Sequence, residues 1–225
     1  MDLIIGLSGD ERTERNVMPT VGRINSLPVS HLSLYALSLE EGSVLYRQAE
    51  RGRFTMLPDD VAAELYLEYS AALRESGFSH YEISNFARNG MESEHNNLYW
   101  DRKPYVGMGP AAHSYDGASV RRWNVANLKK YIEGVRNGNY YEQEFLSAED
   151  RYNETVMTCL RREKGMTADI LASGTVAPYW AQVRDRAAGY AASGHAEYDG
   201  MGFRLTEEGW LVSDSIFREL FVDAE

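Results

Sequence analysis

Two stretches near the start of the chain, DLIIGL at residues 2–7 and HLSLYALSL at residues 31–39, decide how the fold is read. Leu3 to Leu7 is a short apolar run closed by Gly6 and then by Ser8-Gly9-Asp10, the pattern of a buried strand followed by a turn. Residues 10–26 are polar, with apolar returns at Val17, Val21 and Ile24 at the spacing of an amphipathic helix, and Pro19 weakens its continuity. Pro28 precedes the second apolar run. Strand, helix and strand in this order predict a right-handed βαβ unit with parallel strands.

Working outward, residues 58–76 carry the clearest helix signal. Pro58 suits a first turn, Asp59, Asp60 and Glu64 favour its positive end, and Gly77 can end it. Val61, Leu65, Tyr69 and Ala72 recur at helical spacing and mark a buried face. Phe78 to Phe86, FSHYEISNF, reads as another strand. Residues 88–123 are rich in Gly, Asn, His and aromatics with little periodicity, long for a plain loop and therefore a candidate functional segment.

The C-terminal part differs. Residues 148–163, 175–193 and 206–221 each read as helices. Between the last two, Asp199-Gly200 is a hairpin signal within Ala196 to Leu205, giving a two-stranded wing. Thr206 can cap the final helix, whose apolar stripe is Trp210, Ser213, Phe217, Leu220 and Phe221. Helices plus a wing suggest a winged-helix-like module. From residue 148 onward fourteen acidic residues face eight basic ones, which opposes DNA binding and favours a structural cap.

Composition bounds the rest. The chain has 225 residues, 44% hydrophobic and 25% charged, enough to build a packed core, as one large domain or two small ones. The net charge of −11 excludes a generic phosphate-backbone binder. No segment approaches the roughly 20 apolar residues of a membrane span. The N-terminus lacks the basic start and long apolar run of a secretory signal; it looks like a chain that begins inside a strand. The single cysteine, Cys159, excludes an intramolecular disulfide and any cysteine-only metal site made by this chain, and fits a reducing, cytoplasmic setting.

Three stretches carry chemistry: Tyr81 to Arg88 (YEISNFAR), His95 to Trp100 (HNNLYW) and Gly107 to Ser114 (GMGPAAHS). The second supplies an imidazole, two amides, a phenol and an indole within six residues. An imidazole can ligate a metal such as haem iron, and flat aromatics can pack against a macrocycle. His95 is equally readable as a hydrogen-bonded structural residue, and His113, among small neighbours, as a packing residue. The glycines of the third stretch let the backbone approach a ligand closely, but no Gly-Lys-Ser/Thr of a phosphate loop is present.

Together with DLIIGL, LSLYAL at 32–37 followed by Glu41-Gly42, and Ser213-Asp214, these stretches resemble the oxygen-independent coproporphyrinogen III oxidase-like branch of the radical SAM proteins. Within it they look most like the haem-chaperone group, and the resemblance spans essentially the whole chain. It implies the later part of a radical SAM partial (β/α) barrel, residues 1–90. A motif-bearing connecting segment would follow at 91–145, and a mostly helical, winged-helix-like domain at 146–225. It implies a cytoplasmic haem-binding protein that passes haem to an acceptor protein. His95, Asn96, Tyr99, Trp100 and His113 are then the haem candidates. Asp2, Ile4, Tyr35 and Ala36 fall at family positions bordering S-adenosylmethionine, although Asp2 is also readable as the end of a frayed strand and Tyr35 as core. The HNxxYW motif argues against porphyrinogen decarboxylation, the competing enzymatic reading.

Two departures from the family stand out. Its Gly-Leu-Pro-Gly is here Gly6-Leu7-Ser8-Gly9, and its cluster-binding Cys-x3-Cys-x2-Cys run is absent. The expectation is a C-terminal portion of such a protein, inactive alone in radical chemistry and unable to bind the 4Fe-4S cluster or S-adenosylmethionine fully. An opened barrel would expose a strand edge, so self-association is expected.

Overall fold

A computed structural model describes residues 1–8 and 10–223; Gly9, the second glycine of the Gly6–Gly9 turn, lies outside the described residues. The chain divides into two compact units, Met1–Ser93 and Glu94–Glu225.

In the first unit, β1 (Asp2–Ile5) is followed by α1 (Glu11–Glu14), α2 (Val17–Asn25) and β2 (His31–Ala36), and β1 and β2 pair in parallel as the sequence predicts. The expected single helix over 10–26 is two, broken at Arg15-Asn16 rather than at Pro19. Pro19 sits in the first turn of α2, where its missing N–H costs nothing. Next come α3 (Val44–Glu50), α4 (Asp59–Glu75), β3 (Ser79–Glu82) and β4 (Asn85–Ala87). The single strand expected over 78–86 is an antiparallel hairpin turning at Ile83-Ser84, so the sheet is mixed, in the order β1-β2-β4-β3, and among the described residues it does not close into a barrel.

One face of this sheet is the core. Ile5, Leu32, Leu34 and Phe86 are fully buried against Val21 and Ile24 of α2 and Leu65, Tyr69 and Leu73 of α4. Each such aliphatic or aromatic side chain contributes about 1.5–3 kcal/mol by leaving water. Burial of Leu65, Tyr69 and Ala72 bears out the helical stripe, with Val61 half-buried at its start.

In the second unit, α5 (Glu94–Trp100), β5 (His113–Tyr115) and most of β6 (Val120–Asn124) occupy the segment that lacks periodicity, and α6 (Leu128–Asn137) and β7 (Tyr141–Phe145) follow it. The strands form an antiparallel sheet in the order β5-β6-β7. Then follow α7 (Ala148–Leu160), α8 (Ala168–Leu171), α9 (Ala177–Ala192), the wing β8 (Ala196–Tyr198) and β9 (Phe203–Leu205), α10 (Glu207–Leu211) and α11 (Ser213–Leu220). A capping box joins Ser147 and Asp150 at the start of α7, and Thr206 caps α10 as expected. The final helix, expected to run unbroken over 206–221, breaks at Val212. Trp210, Ser213, Phe217 and Leu220 are buried; Phe221 is half-buried. The Tyr152 hydroxyl donates to Leu220 O at 3.1 Å and the Trp210 indole to Leu160 O at 2.8 Å, tying α7 to α10 and α11. Among the described residues, no helix is long and apolar enough to cross a membrane.

Candidate functional site

The sheet of the first unit has a second, partly polar face. Strand alternation sends Asp2 and Ile4 of β1, and Ser33 and Tyr35 of β2, away from the core. The parallel register places Asp2 beside Ser33 and Ile4 beside Tyr35. Ile4 and Tyr35 are 41% and 43% exposed, unusual for large side chains in the middle of paired strands. Ala36 pairs with Ile5 at the strand end and is exposed. Tyr35 is thus not a core residue.

Toward β3 and β4 the same face closes over. Ser33 pairs with Asn85, Asn85 with Glu82, and all three are buried. The Asn85 amide donates to the Glu82 carboxylate, while the Asn85 amide oxygen is buried and has no partner. Nearby, His31 Nε2 and the Tyr81 hydroxyl share a hydrogen bond of 2.8 Å. Burial of its ring, and then the positive chain terminus, hold His31 below its ordinary pKa. Two apolar side chains, Ile4 and Tyr35, thus share a face with the Asp2 carboxylate and the unpartnered buried oxygen of Asn85.

The second unit carries the other candidates. His95, Asn96, Tyr99 and Trp100 all lie on α5; His95 and Tyr99, four apart, share one side of the helix. Their rings meet edge to face at 4.9 Å between centroids. The ladder continues from Tyr99 to Tyr105 at 4.8 Å and from Tyr105 to Tyr115 of β5 at 6.3 Å. His95 is exposed at one end, while Tyr115 is buried at the other. Burial raises the Tyr105 hydroxyl's pKa, so it stays a protonated donor. Between α5, β5, β6 and α7 lies a cavity of about 200 Å³ lined by Tyr99, Trp100, Tyr105, Tyr115, Met157 and the Arg121–Glu154 pair, among others.

His113 is on β5, exposed, opposite Trp123 in the register, with ring centroids 6.3 Å apart. His95 and His113 therefore sit on different elements, and among the described residues no group of three or more His, Cys, Asp and Glu is placed to hold a metal ion.

The glycine stretch is built differently from the sequence expectation. Gly107 is a glycine because a Cβ there would lie 2.1 Å from His113 O: the close approach is to the chain's own strand, not to a ligand. Gly107 N donates to Ser114 Oγ at 3.0 Å, and the buried Asn124 amide donates to Gly107 O and Gly109 O at 3.3 and 2.9 Å. The loop tip leaves Met108 88% exposed.

Arg102, Tyr105, Arg121 and Glu154 were not singled out from sequence. Arg102 has φ +51°, which no sequence pattern announces. From that position its guanidinium donates to Arg151 O at 3.0 Å, to Thr155 Oγ1 and to the Tyr115 hydroxyl at 3.0 Å, and lies 3.5 Å from Glu154.

No protein-family model matches the chain. A protein of Mycobacterium tuberculosis named heme chaperone HemW is 34% identical over 224 residues, 98% of this chain and 54% of that protein. The bovine mitochondrial radical S-adenosyl methionine domain-containing protein 1 is 43% identical over 116 residues, half of this chain and a quarter of that protein. The chain is a homologue of the HemW/HemN radical SAM porphyrin-related proteins. It spans about half the length of the curated relatives it matches over its full extent. The fold is radical-SAM-like: the solved coproporphyrinogen III oxidase HemN of Escherichia coli, described as a radical SAM enzyme, overlays with a TM-score of 0.70. That match is 20% identical and covers 98% of this chain and 54% of the other.

The group's two cofactors fare differently here. The face of Asp2, Ile4 and Tyr35, with the unpartnered Asn85 oxygen, has some of the polar and apolar groups that a nucleoside such as that of S-adenosylmethionine calls for. A three-cysteine cluster does not fit: the one cysteine, Cys159, lies on α7 with its thiol pushed up to about 11 by burial, the opposite of a ready thiolate ligand.

Proposed function

We propose that this chain is the tetrapyrrole-handling portion of a radical SAM protein, C-terminal to its cluster-binding segment. In the intact protein it holds haem for delivery to an acceptor protein. The observation that carries the reading is the ladder from His95 through Tyr99 and Tyr105 to Tyr115. It is a run of edge-to-face and tilted aromatic rings with an exposed imidazole at its open end, beside a cavity with an arginine–glutamate pair. His95 contacts the iron, Tyr99 and Trp100 pack against the ring, Asn96 borders it, and His113 is the second candidate. Asp2, Ile4, Tyr35 and Ala36 border the nucleoside of S-adenosylmethionine when the rest of its pocket is present. Names of the sequence relatives support delivery of haem.

The likeness in fold to coproporphyrinogen III oxidase over nearly all of the chain favours a second reading. In it the same surface holds a porphyrinogen for oxidative decarboxylation in the intact protein. Both readings share one ligand class, a tetrapyrrole.

Haem titrated into the 225-residue chain is expected to give a Soret band that shifts and weakens in His95→Ala. An unchanged band and affinity in the variant would remove His95 from the site. Product analysis of a cluster-reconstituted protein carrying this chain together with a Cys-x3-Cys-x2-Cys segment separates the two readings. Protoporphyrinogen formed at a catalytic rate selects the oxidase, and haem transfer without it selects the chaperone.

A further inference from the structure

A second cleft in the 94–225 unit is at odds with the chain's charge. Its volume is about 460 Å³, and its walls include Trp100, Asp101, Arg102, Arg151, Cys159 and Arg162. Three guanidiniums face one carboxylate there, in a chain of net charge −11. The cleft shares Trp100, Arg102, Tyr115 and Thr158 with the aromatic cavity, so the two are neighbouring compartments along one wall.

The cations are not equally committed. Arg102 spends its guanidinium on Arg151 O, Thr155, the Tyr115 hydroxyl and Glu154. Arg162 is tied to Asp101. Arg151 gives only its Nε, to Ser147 O at 3.3 Å, and forms no ion pair among the described residues. On the shared wall the Trp100 indole N–H is shut from solvent and has no acceptor. The planar fork of Arg151, with free N–H groups on the cleft wall, matches a carboxylate, which accepts two parallel hydrogen bonds.

We propose that this cleft receives a carboxylate arm of the ligand whose flat body rests on the Tyr99–Tyr105 ladder. This rests on the tetrapyrrole reading: such rings carry propionate arms. Arg151 is the principal partner, and Arg162 opens from Asp101 to share the charge. The aromatic compartment then selects the ring, and the arginine compartment fixes which edge of it points inward.

The test compares ferric protoporphyrin IX with its dimethyl ester on the 225-residue chain. The free acid is expected to bind at least about tenfold tighter than the ester, by the fold-change a bidentate charged pair supports. Arg151→Gln removes that preference, and Arg151→Lys, which keeps the charge but not the fork, restores part of it. Equal affinity of the wild type for acid and ester, or an undiminished preference in Arg151→Gln, overturns the proposal. If neither porphyrin binds, the tetrapyrrole reading falls by itself, and glutarate decides the carboxylate site. Cys159 lines the cleft and is partly exposed, so its alkylation by iodoacetamide, followed in alkaline buffer because burial raises its thiol to about 11, reports occupancy. Slowing by glutarate in the wild type but not in Arg151→Gln upholds the site, and absence of slowing rejects it.

Discussion

The two larger sheets of this chain are held by opposite means. The β1-β2-β4-β3 sheet rests on an apolar layer, with Leu32, Leu34 and Phe86 sealed against Leu65 and Leu73. The β5-β6-β7 sheet buries only Tyr115 and Asn124 of its own residues and leaves Phe145 72% exposed. It is fastened by directed polar bonds instead: Asn124 to the glycine loop, the Trp123 indole to Glu142 at 3.2 Å, and Arg121 between Glu144 and Glu154. Apolar layers supply stability that tolerates small shifts. Polar fasteners supply less free energy but fix angles, and His113 and the Tyr115 end of the aromatic ladder sit on the sheet held that way.

The comparison breaks or holds most sharply at Phe86. Phe86→Ala removes a fully buried ring that also stacks on His80 at 3.9 Å, and is expected to cost about 3–5 kcal/mol. Denaturant unfolding measures the loss, and amide exchange places it. Protection should fall across β1 to β4 while the β5–β6 amides keep theirs. Equal loss in both sheets would mean that they do not stand on separate supports.

Asn124→Ala is the smaller counterpart. It removes two hydrogen bonds to glycine carbonyls from a buried position, for about 1–3 kcal/mol. The loss should be local, with faster exchange from Gly107 to Ser114 and β2 amides unchanged. A drop confined to global stability, with the glycine loop still ordered, would show that the fastener does not hold the loop.

The same contrast explains what could be read from the residues alone. The stripe of α4 and the apolar returns of α2 were legible because burial on one face imposes a helical period on the sequence. The β3–β4 hairpin was read as one strand because Ile83-Ser84 carries no turn signature and apolar residues continue on both sides. Helix α5 was missed because none of its seven residues is buried, so its motif was visible as chemistry but not as structure. His95, Tyr99 and Trp100 could be named from their residue types. Arg102, Arg121 and Glu154 could not, because their meeting depends on a left-handed backbone at Arg102 and on contacts between α7 and β6 that no local spacing encodes. Seen in three dimensions, GMGPAAHS is a self-packed loop; its glycines are identical on paper to those of a ligand cradle.

Acid separates the two regions with the smallest but cleanest effect. His31, between β2 and Tyr81, is held below its ordinary 6.5 by burial first and the chain terminus second. The unfolded chain therefore takes up a proton before the folded one, so stability present above about pH 6.5 is lost as pH falls below it. Asp116, in the β5–β6 turn, is held below its ordinary 3.8 chiefly by backbone N–H bonds from Val120 and Ala118, with Ser119 adding a third. Its contribution survives down to about pH 4 and is lost only below that. Residue-resolved exchange at pH 7.5, 5.5 and 3 should loosen the His31–Ala87 pairing at the middle value and the Ala118–Val120 amides only at the lowest. Were the turn to open first, the apolar sheet would be the acid-resistant region, and the polar fasteners could not be what orders the candidate site at neutral pH.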